Sequence, residues 1–391
     1  MECLPFGSWH ITVKCVDVNY NTRRPLLETM VVAYILEQNT SIRLEGERLL
    51  VQRKKDTLRT LHIYKLKQLV LFGNISLTPA VITRLFRENI DTVFMSRAGR
   101  YMGRLQGQFS KNITLRHEQF ARMMDAGYAV ETARAIVAGK LANMRSVLMR
   151  IKRSRDEAAL GKQVAGIKKI MGKVRQATDL DSLRGYEGSA SAMYFEGFAR
   201  GLLGNEVGFE KRVRRPPTDP VNALLSLGYT LLLNSVMNAV CMVGFDPYLG
   251  TLHAVEYGRP SLVLDLMEEW RPLVVDTLVL SVFNLKTLTL SDFKKGVDVD
   301  ESEETRENGD SLDEKSAVTD ELSREPALPV RLTDDGFRKF IVQFERKMNQ
   351  KIRHRLTGQQ LSYRDCIREQ VRHFARVVRG EEKAYRPMVM R

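Results

Sequence analysis

The spacing of apolar residues changes character once along the chain. Over residues 9–105 they alternate with polar ones or gather in short β-branched runs, which predicts strands at 9–18, 29–36, 41–44, 48–53, 59–64, 68–72, 92–96 and 100–105. Glu45-Gly46-Glu47 between two alternating runs is a hairpin signal, and Pro79 suits the first turn of a helix over 80–88. From His117 onward apolar positions recur at helical spacing. Helices are predicted over 117–155, 162–175 and 182–203, the last capped by Asp179 or Asp181, then over 221–245, over 261–284 and again beyond 334, where 337–355 and 361–380 both read as helical. The fold class is therefore α+β: a small N-terminal β-rich domain (1–106, with 1–28 as an extension) followed by a larger all-α domain (107–391).

Two stretches interrupt that picture. Residues 296–329 are acidic, poor in apolar residues and free of aromatics, and read as a disordered insert within the helical domain, because such a segment cannot bury enough surface to offset its ordering entropy. An inert linker is the first reading of it, and a DNA-mimicking or partner-contacting tether the second. The run 221–245 is apolar enough to be mistaken for a membrane span. However, Asn222, Ser226, Thr230, Asn234 and Asn238 fall at successive i+4 steps, and such a ridge fits a core helix facing a polar cleft better than lipid.

Charge adds the next constraint. With Lys and Arg at 61 against 47 Asp and Glu, the chain carries a formal +14, which points to a polyanionic partner, nucleic acid foremost, with a generally solvated basic surface as the alternative. Basic residues recur at Lys140, Arg145, Arg150, Lys152, Arg153 and Arg155, and again in the loop Lys211, Arg212, Arg214, Arg215. Cys3, Cys15, Cys241 and Cys366 form no CxxC pair, so neither a zinc ribbon nor a disulfide framework is indicated, and Cys241 reads as a small core residue. No basic-then-apolar leader opens the sequence, and a reducing cytoplasm fits.

Candidate chemistry gathers between residues 250 and 284. His253 lies in a Gly-rich entry, and Asp265 and Glu268, three apart, project from one helix face, whereas Glu269 turns away. One imidazole and two carboxylates suit Mn²⁺ or Mg²⁺ better than structural zinc. A further carboxylate must come from elsewhere. The helix 182–203 offers Glu187, flanked by Gly185 and Gly188, and Glu196, in an aromatic face; nine residues apart, only one can face the site, and Glu187 is favoured. His354 and His373 read as surface helix residues rather than ligands.

The segments LFGNISLTP (71–79), GRYMGRLQG (99–107), LRGYEGSASAMYF (183–195), KRVRRPPTDPVNALLSLGYTLL (211–232) and GFDPYLGTLHAVEYGRPSLVLDLMEEWRP (244–272) resemble the CRISPR-associated adaptation integrase, the Cas-one endonuclease family. The resemblance spans residues 30–290. It implies metal ligands at Glu187, His253 and Glu268, where some members carry Asp, with Asp265 as a further acid near the metal. It implies Mg²⁺ or Mn²⁺ as cofactor, and spacer integration by attack of a DNA 3′-hydroxyl on the CRISPR repeat. The implied partners are double-stranded DNA, a second copy of the chain and the small Cas-two protein, with no membrane. Lys211, Arg212, Arg214 and Arg215, joined by Arg145 and Asn222, are the expected DNA contacts. The extension 1–28, the insert and the tail after Thr357 depart from the family pattern. A non-catalytic DNA-binding scaffold and a metal-dependent repair nuclease are the rival readings.

Overall fold

The computed structural model describes residues 31–107, 111–155, 158–203, 207–213, 216–296 and 328–390. The expected strand at 9–18, Arg214, Arg215 and all but the edges of the acidic insert lie outside them.

The N-terminal part is built from two four-stranded sheets. One has the order β1 (Val31–Ile35), β5 (Leu66–Phe72), β7 (Asp91–Met95), β8 (Tyr101–Arg104), parallel except for the last pair. The other runs β4 (Asp56–His62), β3 (Arg48–Arg53), β2 (Thr40–Glu45), β6 (Ile75–Leu77), with Gly46 at φ 56° turning the β2–β3 hairpin. Helix α1 (Pro79–Arg87) starts at the expected proline. Alternation along β5 explains why the first sheet is buried on both faces: Leu69 and Leu71 point into the small β core, and Val70 and Phe72 into the main helical core. Strand β6 was not foreseen, being too short for a pattern.

The helical part follows as α2 (Ile113–Met123), α3 (Ala126–Arg155), α4 (Gly161–Gln176), α5 (Leu180–Ala199) and α6 (Pro220–Val243). Asp179 caps α5, accepting from Ser182 N–H at 2.7 Å, and Asp219 caps α6 from Asn222 N–H at 2.8 Å. Next, α7 (Ser261–Met267) runs through a wide π turn (Arg271–Asp276) into α8 (Thr277–Asn284). Pro272 has no amide hydrogen to extend the α ladder, which is one reason the register widens there. The chain ends with α9 (Asp334–Asn349), α10 (Tyr363–Val378) and an extended strap over 385–390.

Three expectations need correction. The helical part also holds two short ladders, β9 (Phe293–Lys295) with β10 (Val330–Leu332) and β11 (Lys351–Arg353) with β12 (Gln360–Ser362), so residues 351–353 are strand where helix was expected. The first ladder brings the two edges of the insert together, Gly296 N–H donating to Pro329 O at 3.1 Å. Second, the polar ridge of α6 does not line a cleft. Its C-terminal end is the seam with the β part, where the Asn238 amide donates to Asp91 at 2.7 Å and Asp91 also accepts from Gln68 and Arg104, while Asn222 and Ser226 at its start hold the 211–213 loop. Helix α6 is long and apolar enough to cross a membrane, yet 72% of its most apolar window is buried inside the protein. Third, His354 and His373 are buried, not on the surface. His354 lies 3.2 Å from Gln370 Oε1, and His373 Nε2 accepts from Arg386 N–H at 3.0 Å, because that face of α10 is covered by the strap and the β11–β12 turn. Cys241 is half-buried, with Arg104 within 3.8 Å of its sulfur.

Candidate active site

His253 is held by the start of α7. Asp265, 1% exposed, collects the backbone N–H groups of Thr251 (2.5 Å), Leu252 (2.9 Å) and His253 (3.0 Å), and its Oδ1 lies 2.6 Å from His253 Nδ1. Three successive amides converging on one carboxylate force the loop into a tight curl. Gly250 enters that curl where a Cβ would meet Asp265 Oδ2 at 2.7 Å and the Leu262 amide nitrogen at 2.7 Å, so no larger residue fits. Asp265 thus acts behind the histidine rather than beside Glu268. Its bond fixes Nδ1 as the protonated nitrogen and leaves Nε2 facing Glu268 Oε1, 3.8 Å away. From α5, Arg184 Nε donates to Leu252 O at 2.7 Å and pins the same loop.

Glu187, in α5, and Glu268, at the C-cap of α7, meet at Lys140 of α3, whose ammonium contacts Glu187 Oε1 and Glu268 Oε2. Ser191 also donates to Glu187 Oε1 at 2.6 Å, and Arg271 Nε lies 3.3 Å from Glu268 Oε1. Lys140 is 5% exposed and Glu268 2%. Two carboxylates brought this close repel unless a shared proton or a cation stands between them, and Lys140 supplies a cation between the half-buried Glu187 and the buried Glu268. Gly185 and Gly188 flank Glu187 with open space where their side chains would be, so Glu187 can be approached from outside. Glu196 is elsewhere, accepting from Gln163 at 2.8 Å.

Among the described residues no three His, Cys, Asp or Glu side chains are close enough, as they stand, to hold a metal ion. The donor set nevertheless fits a hard divalent cation: two carboxylates already share a cation, and an imidazole oriented by a carboxylate points at one of them.

The sequence-predicted DNA contacts divide. Lys211 is exposed and Arg145 half-buried. Asn222 is a correction: it is fully buried, its Oδ1 accepting from Val213 N–H and Arg212 (both 2.9 Å) and its amide donating to Lys211 O at 2.9 Å. It folds the loop against α6 instead of reaching a ligand. Arg212 is committed to the same task, donating also to Ser226 at 3.1 Å and lying over the Tyr229 ring. Arg271 sits over that ring too, 4.9 Å from its centroid, and Tyr229 donates to the buried Asp276 at 2.6 Å, as Tyr194 does at 2.8 Å. Burial pushes the Asp276 carboxyl up to about 6.

Lys140, Arg184 and Arg271 were not foreseen as site residues. A signal for Lys140 existed: it sits on the stripe Ala133, Val137, Leu141, Met144, Leu148 of buried α3 positions, where a lysine requires a buried anion.

Three comparisons relate the chain to known proteins. The family model described as "CRISPR associated protein Cas1" matches residues 33–306. A CRISPR-associated endonuclease Cas1 from Thermus thermophilus is 34% identical over 92% of this chain and 97% of its own length. Among solved structures, a casposase bound to integration product superposes with a TM-score of 0.75 at 19% identity, covering 93% of this chain and 95% of that one. A chain of a Cas6-RT-Cas1–Cas2 complex does so with a TM-score of 0.72 at 23% identity, over 92% of this chain and 36% of that one. At those identities the two structures speak for the fold.

Proposed function

Because the chain belongs to the CRISPR-associated Cas1 endonuclease/integrase family, we propose that it is a divalent-metal-dependent DNA integrase that joins short duplexes to a CRISPR array. The observation that carries this reading is the convergence of Glu187 and Glu268 on one buried cation position, with His253 turned toward it by Asp265. Glu187, Glu268 and His253 Nε2 would hold Mg²⁺ or Mn²⁺. Such an ion, when bound, polarises a phosphoryl oxygen and favours ionisation of an attacking hydroxyl.

The residues of the chain do the rest. Asp265 keeps the imidazole in the tautomer whose Nε2 is an acceptor, and the imidazole must stay neutral to ligate. Arg271, beside Glu268 and over Tyr229, adds positive charge where a phosphate would dock. Gly185 and Gly188 leave room for the nucleic-acid backbone. In the transfer, a bond forms between the incoming 3′-oxygen and the target phosphorus while the bond to the target strand's 3′-oxygen breaks. The attacking hydroxyl loses one proton and the leaving oxygen gains one, so the number of phosphodiesters is conserved. The partners proposed are double-stranded DNA, a second copy of the chain and a Cas2 protein; the fold match to the Cas6-RT-Cas1–Cas2 complex supports the last.

The test incubates the protein with Mn²⁺, a supercoiled repeat-bearing plasmid and a labelled short duplex, with and without the Cas2 partner. Covalent transfer of label to the plasmid is the expected result. Cleavage without transfer would make the protein a nuclease only, and neither product would leave a DNA-binding scaffold.

A further inference from the structure

Lys140 raises a question that the proposed ligand set does not answer. Its ammonium contacts one oxygen of Glu187 and one of Glu268, the two carboxylates proposed to share the divalent ion. An ion held by both would stand where the ammonium now stands, and two cations cannot share that space at contact distance without strong repulsion. The lysine stem can resolve the conflict: it is a flexible four-carbon chain, and its head can swing while its backbone stays fixed in α3.

We infer that Lys140 is a resident counter-ion of the metal site, keeping Glu187 and Glu268 together while the site is empty and yielding its place when a divalent cation enters. This rests on the ligand set proposed above. Three observations favour it over an ordinary buried ion pair. The lysine is 5% exposed and reaches two carboxylates from two different helices, so it substitutes for a bridging ion and not for a single partner. Glu268 already has a second cation, Arg271, at 3.3 Å, so charge neutralisation of Glu268 alone does not require Lys140. Glu187 is itself partly exposed, 18% of its side chain, so an incoming ion can reach it from solvent. Once displaced, the ammonium is a mobile donor beside the ion, suited to an anionic phosphate oxygen. Metal entry and the gain of a phosphate-binding group are then one event.

The test measures metal binding and stability, not turnover. Lys140→Met removes the competing charge at similar length. Its metal-free form should melt several degrees below the wild type, because the cation that bridges Glu187 and the buried Glu268 is lost. Its affinity for Mn²⁺, measured calorimetrically, should rise roughly tenfold or more, and the Tm gained on adding Mn²⁺ should exceed that of the wild type. Lys140→Arg should restore the metal-free Tm. Unchanged or weaker Mn²⁺ binding by a folded Lys140→Met protein would overturn the inference. If that variant does not fold, a crystal structure of the wild type with Mn²⁺ decides: the ammonium should have left the carboxylates, and an ion bound with Lys140 still touching both would refute it. Glu187→Gln is the control for the ligand set. If it binds Mn²⁺ as the wild type does, the ligand assignment has failed, whatever Lys140 does.

Discussion

Glu268 ends between two cations, Lys140 and Arg271, with the imidazole of His253 nearby, whereas Glu269, the next residue, ends in a cage of neutral donors. Tyr385 O–H reaches Glu269 Oε1 at 2.9 Å, Gln370 approaches the same oxygen at 3.3 Å, and Met388 N–H donates to Oε2 at 2.7 Å. Adjacent helical residues diverge by about 100°, so one carboxylate faces α3 and α5 and the other the C-terminal strap. The cage is complete: Asn143 bridges Glu269 O and Met388 O and accepts from Met390 N–H, and Pro387 lies against Gly139, where a Cβ would meet it at 2.4 Å. Burial pushes the Glu269 carboxyl up to about 8, so it is largely a neutral acid at pH 7. Under the proposed function the two neighbours contrast a structural carboxyl with a metal ligand. The first is satisfied within the fold by neutral donors; the second lies against two cations, Lys140 and Arg271. The strap holds α3 and the Glu268–Glu269 turn in fixed relation, and so frames the site from behind.

The largest effect should come from removing a proposed ligand. Glu187→Ala or His253→Ala should reduce metal-dependent strand transfer by about 10³-fold or more, while gel-shift retention of DNA stays within about threefold; a variant with full transfer activity would remove that residue from the site. Asp265→Asn tests the holder of the histidine. It should cost about 10–100-fold in metal affinity, and an unchanged affinity would show that His253 needs no orientation.

How much of this contrast could be read from the chain is uneven. The change from period two to helical period marked the passage from strands to helices, which falls between Arg104 and Ile113, because burial on one face leaves its spacing in the sequence. Motifs around Glu187, His253 and Glu268 named the ligand candidates through resemblance, and the i, i+3 spacing of Asp265 and Glu268 set Glu269 apart. That spacing could not tell that Asp265 would turn back onto the loop, since the capture depends on three backbone amides that a linear pattern does not encode. Nor could periodicity say what covers a face. The α6 ridge was visible, but its partner Asp91 lies on a distant strand. The burial of His354 and His373 depends on a strap with no periodicity of its own. Lys140 looked like one of several basic residues on α3, and only its place on the apolar stripe set it apart.

Smaller effects sharpen the neutral side. Asn143→Ala strips the Met390 amide and two carbonyls of their partner and should lower stability by about 1–3 kcal/mol in chemical denaturation, with Mn²⁺ affinity within about twofold of the wild type; a large loss of affinity would mean that the strap frames the site more tightly than its contacts imply. A pH dependence tests the same cage. Glu269 keeps its proton up to about pH 8 when folded, against an ordinary value of 4.5, so the folded state carries the extra proton between those values. Its contribution to stability therefore falls as pH rises through that window and levels off above it. Glu269→Gln imitates the protonated acid, and its Tm relative to the wild type should rise from pH 5 to pH 8. A pH-independent difference would show that Glu269 is ionised in its cage.

The most direct test of the account is an Mn²⁺ titration by calorimetry of the wild type, Glu187→Gln, Glu268→Gln and Glu269→Gln. The account predicts one site per chain in the wild type, lost in Glu187→Gln and Glu268→Gln and kept with near-native affinity in Glu269→Gln. Binding that survives in Glu187→Gln and Glu268→Gln, or that is lost only in Glu269→Gln, would contradict it.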